Sequence, residues 1–184
     1  GIYHADSGEI FFEGNKVKIS EPQDAEKLGI RFVHQELNVC PDLTVAENIF
    51  IGHLKKNRFG FYNSREVYKA AQELIDQLKI DIKATDKVGD LRAAEKQIIE
   101  ILKAMTLNSK VLVLDEPTSS LSEKEKVIFF HLLATLKERG VSFIFISHFL
   151  EDVLQISDRA IALKDAKNNG EFDTKHATKD DLIF

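Results

Sequence analysis

The chain has 184 residues, 43 % of them apolar, enough for the core of one domain, or of one domain with an appended lobe, and too many for a disordered chain. Its net charge of −5 comes without a basic block, which gives no reason to expect a nucleic-acid partner. A single cysteine, Cys40, excludes an internal disulfide framework and suits a reducing compartment, and no apolar run approaches the roughly 18 residues of a membrane span.

The opening "GIYHADSGEI" carries no leader, and the closing "TKDDLIF" stops inside an apolar pattern, so both ends are expected to be cut from something longer. Between them, "EIFFEGNKVKIS" predicts two alternating strands about a Gly14-Asn15 turn. "GIRFVHQE" is a short β-branched and aromatic run, expected to be a strand ending at His34-Gln35. "DLTVAENIF" and "SREVYKAAQELIDQL" predict helices; in the second, Val67, Ala71, Leu74, Ile75 and Leu78 share one face and Ser64 is the expected N-cap. The basic and aromatic "GHLKKNRFGFYN" between them, with two glycines, is expected to be a loop.

"AAEKQIIEILKAM" predicts a further helix with Ile98, Ile101, Leu102 and Met105 on its apolar face, followed by a strand over Val111 to Leu114. Ser122 and Glu125 form a capping box that opens a helix running to Arg139, where Gly140 stops it. "SFIFIS" predicts a fully apolar strand ending at Ser147-His148, and "DRAIALKDAKNNGEF" a last hairpin about an Asn-Asn-Gly turn. Cys40 reads as a partly buried small hydrophobe, the phenylalanine pairs at 11–12 and 129–130 as core and flank, and His53, His131 and His176 form no metal-ligand spacing.

Apolar strands alternating with helices imply a parallel sheet covered on both faces, with ligands at the carboxyl ends of its strands. Those ends carry His34-Gln35, Asp115-Glu116 and Ser147-His148. Two adjacent carboxylates at the end of a buried strand are costly without a cation, and Asp-Glu there suits Mg²⁺ on the β- and γ-phosphates of a nucleotide. In that chemistry Asp115 supports the metal and Glu116 polarises the attacking water. Gln35 ligates the metal or orients that water, and His148 hydrogen-bonds the γ-phosphate. Taken singly, "VLVLDE" also fits a purely structural strand, and His148 a capped, satisfied histidine.

The order of the landmarks resembles that of an ABC transporter ATPase. "VHQELNVCPDLTVAENIFIG" looks like its Q-loop, "VGDLRAAEKQIIEILKAM" its signature helix, "VLVLDEPTSSLS" its Walker B segment and D-loop, and "FIFISHFLEDVLQISDR" its switch histidine. "HQELN", "LTVAENIFIG" and "SH.LE.V..ISDR" are closest to the ATP-binding subunits of carbohydrate importers of the ribose, galactose and xylose type, and the resemblance covers essentially the whole chain. It implies an α/β, P-loop NTPase-like parallel sheet flanked by helices, as a single partial nucleotide-binding domain over 1–184. A helical signature subdomain over about 40–108 would be inserted in it, and a small antiparallel β element would be attached.

The resemblance also implies ATP and Mg²⁺ as cofactors, Gln35 and Asp115 at the metal, Glu116 as general base, and His148 as sensor of the γ-phosphate. It implies Ser119 and Ser120 in the D-loop at a dimer seam, and Arg92, Ala93, Ala94 and Glu95 as the signature facing a partner's nucleotide. The implied partners are a second nucleotide-binding domain set head to tail, transmembrane permease subunits and, indirectly, a sugar-binding protein. The loops around Gln35 and residues 57–63 would lie near the permease, at the cytoplasmic face of the membrane. Two features depart from the family. No G-x-x-x-x-G-K-[ST] occurs in the chain, so the phosphate-holding loop would precede Gly1. The signature serine is Arg92, in Leu91-Arg92-Ala93-Ala94-Glu95. Both leave a competing expectation of a degenerate, non-catalytic ABC domain that transmits conformational change to an active partner. A helicase-type or recombinase ATPase would share the Asp-Glu strand end but has no reason to show "HQELN" or "ISHFLEDV".

Overall fold

In the computed structural model, residues 2–34, 38–52 and 63–182 are described. The centre is a three-stranded parallel sheet, β3 (Ile30–Val33), β4 (Val111–Asp115) and β5 (Ser142–Ile146), in the order β3-β4-β5. Before it stand the hairpin strands β1 (Ile10–Phe12) and β2 (Asn15–Val17) and the short helix α1 (Pro22–Lys27); after it come α6 (Leu150–Ile156) and the hairpin β6 (Arg159–Lys164) and β7 (Lys167–Asp173). Between β3 and β4 lie α2 (Val45–Phe50), α3 (Ser64–Gln77) and α4 (Ala93–Met105), and α5 (Glu123–Glu138) connects β4 to β5.

One face of the parallel sheet is core. Val33, Leu112 and Leu114 are buried, in register with the partly buried Phe143 and Phe145, and pack in one cluster with Ile98, Ile101 and Leu102 of α4 and Phe129, Leu133 and Leu136 of α5. The other row, Phe32–Val113–Ile144, is open among the described residues: Phe32 is 48 % and Ile144 52 % exposed. The expectation of a strand buried on both faces is therefore corrected for β5, where only alternate residues turn inward.

The helices between β3 and β4 are knit together at the start of α2. Backbone amides of Val45 and Ala46 donate to the carbonyls of Asp86 and Ala84, and the buried Asn48 spends its amide on Cys40 and Thr44. Cys40 is partly buried, as expected, and Asn48 binds its backbone amide and carbonyl. On α3 the expected face is the inner one, with Ala71, Ile75 and Leu78 buried and Val67 and Leu74 against them, but Asn63 rather than Ser64 is the N-cap.

Both hairpin turns lie elsewhere than expected. The first is Glu13-Gly14, with Phe12 paired to Asn15 and both turn residues at positive φ, 49° and 76°. The last is Asp165-Ala166, with φ values of 51° and 59°, and Asn168, Asn169 and Gly170 lie inside β7. There the pairing slips between Ala162 and Leu163; Gly170 adopts φ 155°, and a Cβ on it would meet the Phe172 ring at 2.7 Å. The Asn-Asn-Gly signal serves a bulge and not a turn.

Capping carboxylates fix two of the helices. Glu47 accepts from the Thr44 amide and hydroxyl at 2.8 Å each, and these bonds, the amide first, hold its carboxyl below the usual 4.5. Glu125 accepts from the Ser122 hydroxyl at 2.6 Å and amide at 2.9 Å and is lowered in the same way. A carboxylate with a lowered folded-state pKa contributes stability that is complete above the unfolded value and is lost as pH falls through the folded one. Urea midpoints of the wild type should therefore fall from about pH 5 downward, and Glu47→Gln should flatten part of that acid limb. The sheet faces are tested by truncation: Leu114→Ala should cost about 2–5 kcal/mol in denaturant unfolding, whereas Ile144→Ala on the open row should cost under about 1 kcal/mol.

Candidate active site

Parallel pairing of β4 with β5 brings their carboxyl ends together, with Asp115 in register with Ile146. The ladder then continues one step past the strand, the Glu116 amide donating to the Ile146 carbonyl at 2.9 Å. Glu116 itself turns left-handed, φ 48°, a conformation that costs a non-glycine residue about 1 kcal/mol or more. Its backbone is pinned on both sides, because the Ser119 hydroxyl (2.9 Å) and amide (3.3 Å) donate to the Glu116 carbonyl. The kink leaves the two acidic side chains with different surroundings.

Asp115 continues the row of β4 that bears Val113, at the upper end of the open face, and is partly exposed. Glu116 points to the loop after β5. Its Oε1 accepts from the His148 amide at 3.1 Å and lies 2.8 Å from His148 Nδ1. Among the described residues its Oε2 is buried and has no hydrogen-bond partner. The pair is asymmetric in exposure, since the Glu116 side chain is 20 % accessible and that of His148 67 %. A carboxylate with one oxygen committed to a histidine and the other buried and unmet has capacity to accept one more donor.

Ser119 is spent on the turn, Ser120 is exposed, and the tightness of residues 116–121 follows from Leu121 donating to the Thr118 carbonyl at 3.1 Å. Arg92, Ala93, Ala94 and Glu95 form the first turn of α4, where the Arg92 amide donates to Glu95 Oε2 at 2.7 Å. Ala94 is buried and Arg92 exposed, with its guanidinium close enough to add to the lowering of Glu125 at the start of α5. Among the described residues this segment shares no hydrogen bond or ion pair with Asp115, Glu116 or His148. The structure thus unites Asp115, Glu116, His148 and Ser119 and leaves the Arg92 segment apart. Gln35 lies outside the described residues.

A buried set next to this site escaped the sequence. Asp152, on the first turn of α6, accepts from the Thr118 hydroxyl at 2.6 Å and pairs with Lys126 of α5 at 3.2 Å. Thr118 stands 34 positions before Asp152, and no periodicity links them. The only usable signal was a pair of acids, Glu151 and Asp152, inside a largely apolar stretch, "FLEDVLQI".

A parallel sheet that sets a carboxylate pair and a histidine along its carboxyl edge, with helices inserted before the central strand, is the architecture of ATP-binding cassettes. The solved structures agree. MJ1267, an ATP-binding cassette of an ABC transporter, matches with a TM-score of 0.79 at 25 % identity, over 94 % of this chain and 72 % of its own. The dimeric cassette MJ0796, in a post-hydrolysis state with ADP and Pi, matches with a TM-score of 0.72 at 25 % identity, over 94 % and 76 %. The family model for the ABC transporter matches residues 1–119, and the chain belongs to that family. Among its relatives are a putative ribose/galactose/methyl galactoside import ATP-binding protein of Agrobacterium fabrum, 40 % identical over 183 residues, and ribose import ATP-binding protein RbsA 1 of Rubrobacter xylanophilus, 41 % identical over 183 residues. The chain spans 36 % of the length of each.

Arg92 offers α4 no side-chain acceptor, because a guanidinium only donates. Arg92→Ser should therefore raise stability by about 0.5–1 kcal/mol through a better N-cap, read as a higher urea midpoint at unchanged slope.

Proposed function

We propose that this chain supplies the hydrolytic edge of an ATP-binding subunit of a sugar importer, coupling ATP hydrolysis to carbohydrate uptake. The observation that carries the reading is Glu116, held left-handed at the end of the central strand with Oε1 on His148 and Oε2 buried and unpartnered among the described residues. That oxygen suits a water molecule about to attack phosphorus, the only group that phosphoryl transfer asks a protein base to orient. Asp115, one residue earlier and on the other side of the kink, is a hard oxygen donor of the kind Mg²⁺ takes alongside water and phosphate. Gln35 would join it from the end of β3. Bound with ATP, Mg²⁺ would neutralise charge developing on the phosphoryl oxygens.

In this reading His148 has two tasks. Through Nδ1 and its backbone amide it fixes the Glu116 carboxylate, and its exposed ring edge is left for the γ-phosphate. Ser119 and Ser120 lie on the seam with a second nucleotide-binding domain, set head to tail, and Arg92 to Glu95 face that partner's nucleotide. Permease subunits and, through them, a sugar-binding protein complete the assembly at the cytoplasmic face of the membrane. The import names of the relatives support the sugar and the direction of transport. Among the described residues no helix is long and apolar enough to cross a membrane.

A second reading rests on Arg92. An arginine where the family favours serine adds charge and bulk at the partner's phosphate, which fits a domain that closes poorly and transmits motion more than it turns over. Both readings agree that the chain as given holds nucleotide weakly, since no G-x-x-x-x-G-K-[ST] occurs in it.

The test joins the chain to the phosphate-loop segment of the Agrobacterium fabrum relative and measures phosphate release. The fusion should hydrolyse Mg·ATP, and Glu116→Gln should lower turnover by about 10²-fold or more while nucleotide binding survives. Asp115→Asn should instead change the Mg²⁺ dependence. Equal loss of ATP affinity in both variants would contradict this division of roles, and a fusion that binds ATP without turnover would favour the transmitting module.

A further inference from the structure

We infer that Asp152 is a positioning residue: it clamps the loop after β4 to the loop after β5 and so holds Glu116 and His148 at hydrogen-bonding distance. The inference rests on the proposed function only in giving that pair a task.

The His148 side chain is 67 % exposed, so packing alone does not set its orientation. Something must fix the two backbone segments that carry it and Glu116. The β4–β5 ladder does so up to Glu116 and Ile146. Beyond that point both segments are loop, and among the described residues a further buried connection between them runs through Asp152. Its side chain is 5 % exposed, and a carboxylate so buried requires partners. It has two. Thr118, 1 % exposed and joined to Glu116 through Pro117 alone, donates its hydroxyl at 2.6 Å. Lys126, with its side chain 13 % exposed, pairs at 3.2 Å. Asp152 is itself four residues after His148, on the helix which that loop enters.

A second path closes the ring. The Lys126 ammonium lies 5.0 Å from the centre of the Phe149 ring, and the Phe149 ring lies against that of His148, tilted by 37° with centroids 4.0 Å apart. Hydrogen bonding to Glu123 comes first among the causes that raise the Lys126 pKa, with Asp152 adding to it, so the ammonium stays charged. Asp152 thus reaches the Glu116–His148 pair from both ends: through Thr118 to the carboxylate, and through Lys126 and Phe149 to the ring. A purely structural role, fastening α6 to α5, would need only the Lys126 bond. The Thr118 bond fastens α6 to the loop that bears Glu116.

The test is the imidazole ¹H–¹⁵N spectrum of this chain without nucleotide, with the His148 signal assigned by its loss in His148→Gln. In the wild type, Nδ1–H bonded to the Glu116 carboxylate gives a protected, downfield signal. Thr118→Val, which keeps the volume and removes the donor, should abolish that signal, and Thr118→Ser should retain it. Because Thr118→Val leaves a buried carboxylate short of a donor, a second variant replaces all three partners by apolar groups of similar size, Thr118→Val with Asp152→Leu and Lys126→Met, a change that can be near neutral for stability. It too should fold cooperatively and lack the signal. Persistence of the His148 signal in either folded variant would overturn the inference. So would failure of both to unfold cooperatively, which would assign the network to folding alone. Since no nucleotide is involved, either result is independent of whether the chain serves ATP hydrolysis.

Discussion

Glu116 reaches His148 because β4 and β5 run parallel and stay in register to their last residues. An antiparallel β5 would put Ser147-His148 at the far end of the sheet, and a one-residue slip would send Ile146 to the other face and take its carbonyl from the Glu116 amide. The amide bond to that carbonyl, the left-handed turn at Glu116 and the two bonds from Ser119 all follow from where the ladder ends. The difference between the two acids follows too. Asp115 is still in the strand and keeps its row, whereas Glu116 is past the kink and turns toward the next strand's loop.

The sheet also explains why the buried network lies where it does. α5 leaves β4 and returns to β5, so its first turn and that of α6 both begin above the same carboxyl edge. Acids and a lysine on those turns meet over the loop of residues 116–122. Burial there is tolerable because each charge has a counterpart: Lys126 has both Glu123 and Asp152, and Asp152 has Thr118 as well. The polar edge is therefore continuous from the buried Asp152 to the largely buried Glu116 and the exposed His148.

Much of this was legible in the sequence because strands of a parallel sheet are short apolar runs that end abruptly in polar residues. "VLVLDE" and "FIFISH" announced both their strands and the residues they deliver, and the Ser122–Glu125 box announced the start of α5. What could not be read had specific causes. Both faces of "SFIFI" are apolar, so composition could not tell the covered row, Phe143 and Phe145, from the open one, Ile144 and Ile146. Positive φ at Glu13 and Ala166 is imposed by two-residue hairpin loops on residues with little preference for it, so the Gly14-Asn15 signal pointed one position late and the Asn-Asn-Gly signal a few positions late. The Thr118–Asp152 bond joins positions brought together only by the complete fold. The Glu116–His148 contact was equally long-range; each partner was identified for phosphate chemistry, and their bond to each other was not foreseen.

We propose that the Glu116 oxygen which is buried and unpartnered among the described residues receives the attacking water while its other oxygen is held by His148. The direct measurement is a crystal structure of the chain joined to a phosphate-binding loop, with Mg²⁺ and a non-hydrolysable ATP analogue. One ordered water is expected within hydrogen-bonding distance of Glu116 Oε2 and in line with the γ-phosphorus, with Asp115 at the metal and the Glu116–His148 bond retained. A structure in which Glu116 Oε2 meets a protein donor, or in which His148 swings away while Glu116 itself binds the metal, would contradict it.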